Sequence, residues 1–349
     1  MPSKVLTHDD YTVGWVCALP KEMTAAELML DEEHELLDKP PTDSNAYTLG
    51  SISGHNVVIT CLPEGRTGNN SSAAVATRMT STFPSIRVCL MVGIGGGVPK
   101  GAPQGVRLGD VVVSSPVGKF PGVVQWDFGK ATKDGSFERT GALNNPPTSL
   151  LTALSKLKSR HLRAGSEVPN YLKEMQVKNP GMDVRFLRSD ALKDVLFKSR
   201  YHHVDRSPTP CTGNADLDDS SDDEEDKDEC QWCDETMIVK RKPRNMMVHY
   251  GLIASGNQVV KDGAFREKIN KLLDGKVLCF EMEAAGLMND FPCIVIRGIC
   301  DYADSHKNKR WQEHAAAVAA AFAKEFLTVV QASELKQEQT IKSKIPCDY

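Results

Sequence analysis

Apolar runs broken by glycine, proline and short polar clusters recur along the chain, and stretches of helical periodicity lie between them. Residues 11–19, rich in Val, Trp and Cys, predict a buried strand that Pro20 stops. Residues 21–30 follow with helical spacing and proline just before the first turn. Residues 46–52 and 56–62 predict a hairpin turning at Ser53-Gly54, and residues 86–92 and 111–115 predict two further strands. Late in the chain, residues 246–254, 277–281 and 295–300 read as buried strands. Residues 261–273 predict an amphipathic helix, and the alanine-rich residues 311–329 a closing helix against a sheet. Long apolar strands interleaved with helices indicate an α/β protein.

Between residues 144 and 244 the pattern weakens. A helix is predicted over 148–160 and a second within 184–197, whereas 205–235 is acidic and poor in apolar side chains. Such composition does not repay its ordering entropy, so a disordered acidic insertion is expected around 205–245. The expected layout is a tail over 1–10, a single domain over 11–330 and a polar, frayed tail over 331–349. With 349 residues and 40% hydrophobic content the chain can bury a large core. Residues 216–229 carry a local charge of −9, which leaves +5 on the rest of a chain whose formal charge is −4. The body is therefore mildly basic, as a solvated surface commonly is.

No apolar run approaches the ~20 residues of a membrane span, so a soluble, cytoplasmic protein is expected. Most of the ten cysteines sit in apolar runs, which suits reduced core residues. Cys230 and Cys233 form one half of a zinc-site spacing, with His202, His203 or Cys211 as candidate further ligands. The basic run 240–244 has no aromatic interleaving and no nucleic-acid motif, and reads as an offset to the acidic run.

The distinctive chemistry lies where apolar runs end in carboxylates. Val277 to Phe280 is followed by Glu281, Met282 and Glu283, and the run at Val295 ends at Asp301. The C-terminal edge of an open α/β sheet is where ligands bind, and a buried carboxylate is costly unless paired or used. The alternative is that Glu281 or Glu283 caps a helix over 283–290. Glu22 likewise sits where a strand hands over to a helix, with helix charge compensation as its plain role. The turn PEGRTGNNSS before an alanine-rich helix offers backbone N–H groups to an anion, with Arg66 as a further contact. GIGGGVP at 93–99 demands close backbone approach, but it lacks both the dinucleotide and the Walker spacing.

The blocks CFEMEAAG and RGICDYAD resemble the signature of the purine and uridine phosphorylase superfamily, which includes the methylthioadenosine/adenosylhomocysteine nucleosidases and a fungal branch often attached to NLR-type receptors. The resemblance covers residues 11–144 and 246–327. It implies a three-layer α/β/α fold around a central mixed, twisted sheet. It also implies an N-glycosidase active as a dimer or larger homo-oligomer on a small purine nucleoside or nucleotide, with no cofactor, nucleic acid or membrane involved. By residue, it places Glu22 at the position that activates water, Gly95 in the turn beneath the ribose, and Asn257 and Val259 in the turn lining the base. Val259 stands where nucleosidases stack an aromatic, so stacking is expected from Phe280, Trp126 or Phe128. Met91 and Ile94 occupy places where bacterial phosphorylases hold phosphate through arginine and serine, which favours water as the nucleophile. Inorganic phosphate remains a possible partner through Arg66 or Arg107, and a phosphorylated substrate through Arg66, Lys100 or Arg107.

Cleaving a purine N-glycosidic bond needs a donor at the leaving base, a nucleophile on the opposite face and support for the ribose. Asp301 is the expected acid at N7, its pKa raised by burial. Glu22 is the expected base for water, Glu283 accepts from the ribose hydroxyls and Met282 packs on the sugar. The expectation is a hydrolase of adenine nucleosides or nucleotides, with a phosphorolytic enzyme and a nucleoside sensor without turnover as the alternatives.

Overall fold

The computed structural model describes residues 6–99, 105–133, 136–204 and 230–341. Among them the strands are β1 Val13–Cys17, β2 Glu32–His34, β3 Tyr47–Ile52, β4 His55–Cys61, β5 Val88–Gly97, β6 Val111–Ser114, β7 Val123–Gln125, β8 Gly129–Ala131, β9 Phe137–Arg139, β10 Val248–Ser255, β11 Val277–Glu281 and β12 Cys293–Asp301. The helices are α1 Pro20–Glu27, α2 Asn69–Thr82, α3 Thr148–Ala164, α4 Val168–Lys178, α5 Gly263–Leu272, α6 Gln312–Leu327 and α7 Ala332–Leu335. None of the described helices is long and apolar enough to cross a membrane.

A ten-stranded mixed sheet runs β11-β10-β6-β12-β5-β1-β4-β3-β2, with β7 on β10, and β8 and β9 form a separate ribbon. Side-chain alternation builds its two faces. Val88, Leu90 and Val92 of β5 and Ile294 and Ile296 of β12 enter one core with α1, α3, α4 and α6. Cys89 and Met91 of β5 and Cys293 and Val295 of β12 enter the other, with α2. The expected mixed-sheet α/β architecture is the one found.

β5 organises the sheet. It pairs in parallel with β1 up to Met91 and in antiparallel with β11 from Gly96. On that edge the intervening residues 92–95 have no strand partner. On its other edge β5 pairs continuously with β12, until a bulge at Cys300 sets Ile299 opposite Gly95 and Asp301 opposite Gly96.

Several local expectations change. The glycines after residue 92 extend β5 to Gly97 instead of forming a turn, because neighbouring strands accept them edge to edge. The helix expected over 283–290 shrinks to a 3-10 turn at Ala284–Gly286, pressed against the start of α2: a Cβ on Gly286 would lie 2.0 Å from the Asn69 carbonyl. Within 184–197 there is only a 3-10 turn, Val184–Phe186, and the unforeseen α4 buries Val168 and Met175 instead.

Of the insertion expected to be disordered, the acidic residues 205–229 lie outside the described residues, but 230–245 is folded. Its basic run is paired with the body, Arg244 with Asp110 at 2.5 Å and Arg241 with Asp194 at 2.8 Å. The described parts of the terminal tails, residues 6–10 and 331–341, also join the fold. Asp10 accepts from Asn56 Nδ2, and beyond residue 331 Ile341 is buried, with its N–H on the Ile86 carbonyl.

α6 lies so close to β12 that a Cβ on Gly298 would stand 1.9 Å from the Ala315 carbonyl oxygen. Gly298→Ala is expected to destabilise the protein by about 3 kcal/mol or more, at the top of the overpacking range. Urea denaturation measures it, and an unchanged midpoint would show that helix and strand separate without cost.

Candidate active site

Arg297 enters the interior because its position in β12 alternates with apolar residues; only 1% of it is exposed. A guanidinium cannot shed its charge, so its surroundings must supply acceptors. Its Nη2 donates to Glu281 Oε2 and, at 3.4 Å, to Glu283 Oε2, and its Nη1 donates at 3.4 Å to the Ile94 carbonyl. Glu22 reaches the same place from the first turn of α1. Its Oε1 accepts the Ile94 N–H at 2.8 Å, and its Oε2 accepts the Ala18 and Leu19 amides at 2.6 and 3.1 Å. Ile94 lies in the unpaired edge of β5, so two side chains satisfy the backbone groups that a strand would otherwise take. Glycine at 93 makes the approach possible, since a Cβ there would lie 2.3 Å from Glu22 Oε1 and 2.6 Å from Arg297 Nη1.

Glu281 and Glu283 divide their tasks. Glu281 Oε2 also accepts the Glu283 and Ala284 amides at 3.1 and 2.9 Å, which is the capping role weighed as its alternative. Glu283 Oε1 takes the Gly68 amide at 3.4 Å, so the amide at the head of α2 expected to face a phosphate faces a carboxylate. Asn257 closes this side by accepting the Asn69 N–H at 3.0 Å. Glu281 Oε1, Arg297 Nε and Asn69 Nδ2 are buried without hydrogen-bond partners among the described residues. Orphaned buried polar atoms are rare in native proteins and mark places where a polar ligand or water completes the network. Met282, beside them, is half-buried.

Burial pushes the Glu22 carboxyl up, against the pull of Arg297 and three backbone amides. Burial raises Glu283 to about 7, with Glu281 and Glu22 adding repulsion and Arg297 opposing.

Asp301 is placed differently. The bulge at Cys300 turns it to the opposite face of the sheet from Ile299, and it stands against Gly96, where a Cβ would meet its Oδ1 at 2.7 Å. Oδ1 accepts the Ala303 amide at 2.7 Å and Oδ2 pairs with Lys307 at 3.0 Å. The expected upward pKa shift is therefore reversed. Burial alone would raise the carboxyl, but Lys307, the Ala303 amide and the Cys300 thiol together hold it below the usual carboxylate range.

Asp301 and Lys307 line a cavity of about 480 Å³ with Phe197, His306 and Trp311. Glu22, Glu281 and Glu283 do not line it. The three glutamates thus gather around Arg297, and Asp301 lies beyond β5, two residues along from Ile94 or about 7 Å of strand rise.

The remaining expected residues are scattered. Gly95 faces the Phe280 carbonyl, at 3.0 Å from a would-be Cβ. Phe280 is buried edge-on to Trp126 with centroids 6.4 Å apart, whereas Phe128 and Val259 are exposed. Arg66 is exposed, Arg107 is engaged by the Lys242 carbonyl at 2.8 Å, and Lys100 lies outside the described residues. Met91 is fully buried in an apolar core and Ile94 is partly buried. Sequence reasoning missed Arg297, Asn69 and Lys307. A lone arginine inside the apolar run VIRGIC was the available signal for the first.

Removing Arg297 leaves three buried carboxylates facing one another. Arg297→Met is expected to cost about 3–5 kcal/mol by chemical denaturation. For Glu283 the folded-state pKa lies above the ordinary 4.5. Its protonation therefore stabilises the fold fully below 4.5, and that contribution is lost as pH rises through about 7. Thermal melts of Glu283→Gln should lack this part of the wild-type decline, and parallel profiles across the window would contradict the burial argument.

No family model matches the chain. A nucleotide-binding leucine-rich repeat (NLR)-like protein of Hyaloscypha variabilis is 44% identical over 342 residues, covering 98% of this chain, which spans 31% of that protein's length. Among solved structures, the chain is similar to the 5′-methylthioadenosine/S-adenosylhomocysteine nucleosidase of S. pneumoniae with a transition-state inhibitor, at TM-score 0.53 and 18% identity over 92% of this chain and 100% of that one. The corresponding nucleosidase of Neisseria meningitidis, with methylthio-immucillin-A, matches at 0.53 and 16%, over 91% and 98% of the two chains. Futalosine hydrolase of Helicobacter pylori matches at 0.53 and 18%, over 92% and 99%. The chain has the α/β fold of the nucleoside phosphorylase and nucleosidase superfamily, whose signature its CFEMEAAG and RGICDYAD blocks resemble.

Proposed function

We propose that the protein hydrolyses the N-glycosidic bond of a purine nucleoside or nucleotide, with adenine as the favoured base. The observation that carries this reading is the break in strand pairing along β5. There Glu22 is anchored at Ile94 on one side, and Asp301 stands at Gly96 on the other. A nucleoside lying across this glycine-lined edge has its sugar among Glu22, Glu283 and Met282. Its base lies toward Asp301 and the aromatic-walled cavity.

In the proposed reaction Glu22 accepts a proton from water as the oxygen attacks C1′. The bond from C1′ to the base nitrogen breaks, its electron pair passes into the base, and N7 receives a proton by way of Asp301. Because Lys307 keeps Asp301 ionised in the free site, Asp301 takes that proton from solvent as the substrate binds and passes it to N7, and Glu22 returns its own to solvent after release. Glu283 as a carboxylate accepts the ribose hydroxyls, and Arg297 holds it in place. Water is preferred to phosphate because Met91 and Ile94 offer no anion contact and Arg107 is already engaged. Arg66 is exposed and, with Lys100 outside the described residues, stays a candidate contact for a 5′-phosphate. The cavity beside Asp301 is walled by Phe197, whose ring is already stacked on His306, and by Trp311.

A second reading is favoured by the relative itself. The chain matches part of an NLR-like protein, and the same site would then sense a nucleoside without turnover.

Base release from adenosine, inosine, guanosine, uridine, AMP and ATP, with and without inorganic phosphate, separates these readings. Phosphate-independent release of ribose or its phosphates is expected. Ribose 1-phosphate would establish phosphorolysis, and calorimetric binding without any product would establish the sensor. Asp301→Asn and Glu22→Gln should each lower kcat about 10²–10⁴-fold with ligand binding largely retained. Near wild-type turnover in either would remove that residue from the mechanism.

A further inference from the structure

The acidic run is bracketed in the sequence by His203 and by the Cys230 and Cys233 pair, and the fold brings a fourth residue to them. One ligand atom from each of His203, Cys230, Cys233 and His306 lies within 4.8 Å of the others. We propose that these four side chains form a tetrahedral zinc site that fastens the chain on both sides of the acidic run to the loop after β12.

The His306 imidazole gives the independent indication. It is stacked on Phe197 at 4.0 Å and 14°, and both ring nitrogens are buried without a hydrogen-bond partner among the described residues. A buried imidazole with two orphaned nitrogens is costly, because each nitrogen has given up water without gaining a partner. A metal ion removes that cost at one nitrogen, and Asp304 Oδ1, 3.8 Å from Nδ1, can serve the other.

The surroundings suit an ion held among thiolates. The Val204 amide points at Cys233 Sγ from 3.4 Å, His203 Nδ1 lies 3.4 Å from the same sulfur, and the His203 amide is held by Ser305 Oγ at 2.9 Å. Zinc bonds of about 2.0 Å to nitrogen and 2.3 Å to sulfur require ligand separations of about 3.3–3.8 Å. The longest separation, at most 4.8 Å, therefore contracts by about 1.5 Å or less on binding. Two thiolates balance the dication, and imidazole with thiolate is a donor set for zinc and not for calcium or magnesium. Four protein ligands close the site, so its role is structural.

The sequence supplied half of this site. His203 joins as one of its candidates, His202 is exposed and takes no part, and Cys211 lies outside the described residues. His306 was not foreseen. Its place next to Lys307, the partner of Asp301, means that the metal fixes the wall of the cavity on the Asp301 side.

Zinc content of the full-length protein purified without chelator, and cobalt titration of the chelator-treated protein, test the proposal directly. About one zinc per chain is expected, with cobalt giving a thiolate charge-transfer band and tetrahedral d–d bands at the same stoichiometry. Cys233→Ser and His306→Ala should lose the bound metal, and Cys61→Ser should keep it. If the site variants fail to fold, the cobalt spectrum of the wild-type chain decides alone. A folded wild-type protein that contains no zinc and yields no thiolate–cobalt band overturns the site, as does a Cys230–Cys233 disulfide in the protein as purified without chelator.

Discussion

The buried guanidinium of Arg297 is the interaction on which the site depends. Without it, Glu281, Glu283 and Glu22 would be like charges in an apolar interior, an arrangement that neither burial nor hydrogen bonding would sustain. With it, Glu281 is held against Nη2, Glu283 is steadied at 3.4 Å, and Ile94 has an acceptor-side partner where the sheet opens. The arginine can occupy this position because Gly93 leaves the neighbouring strand bare. A positive charge and a missing side chain therefore build one feature together.

The opening in the sheet turns that feature into a site. β1 leaves β5 at Met91 and β11 joins it at Gly96, so a short edge is exposed at the point where the connectivity changes. Such switch points are where open α/β sheets accept ligands. Here the edge separates two kinds of chemistry. One side carries carboxylates whose pKa values burial has raised. The other carries Asp301, ionised by its Lys307 partner, beside a cavity walled by Phe197, His306 and Trp311.

The folded part of the insertion, residues 230–245, belongs to this second side. Arg241 and Arg244 tie it to Asp194 and Asp110, and Cys230 and Cys233 bring it against His306. Arg241 and Arg244 are thus partners of a half-buried and a fully buried acid, with Asp110 also accepting from His249 and the Met247 amide. An offset to the acidic run would have needed none of these contacts.

Strands, their order of burial and the acids at their ends were legible in the sequence, because apolar alternation and strand-terminal carboxylates are local patterns. CFEMEAAG and RGICDYAD carried the resemblance to the fold, and Glu22, Glu281, Glu283 and Asp301 were read from where apolar runs stop. Three things only the tertiary structure decided. The extra residue at Cys300 reverses the direction of Asp301, since a bulge depends on pairing with β5 and leaves no mark in composition. Lys307 inverts the pKa shift that burial alone predicts, because the sign of a shift belongs to the nearest charge and not to the strand. His306 joins His203, Cys230 and Cys233 across a separation that no spacing rule spans, because the chain's path alone brings them together.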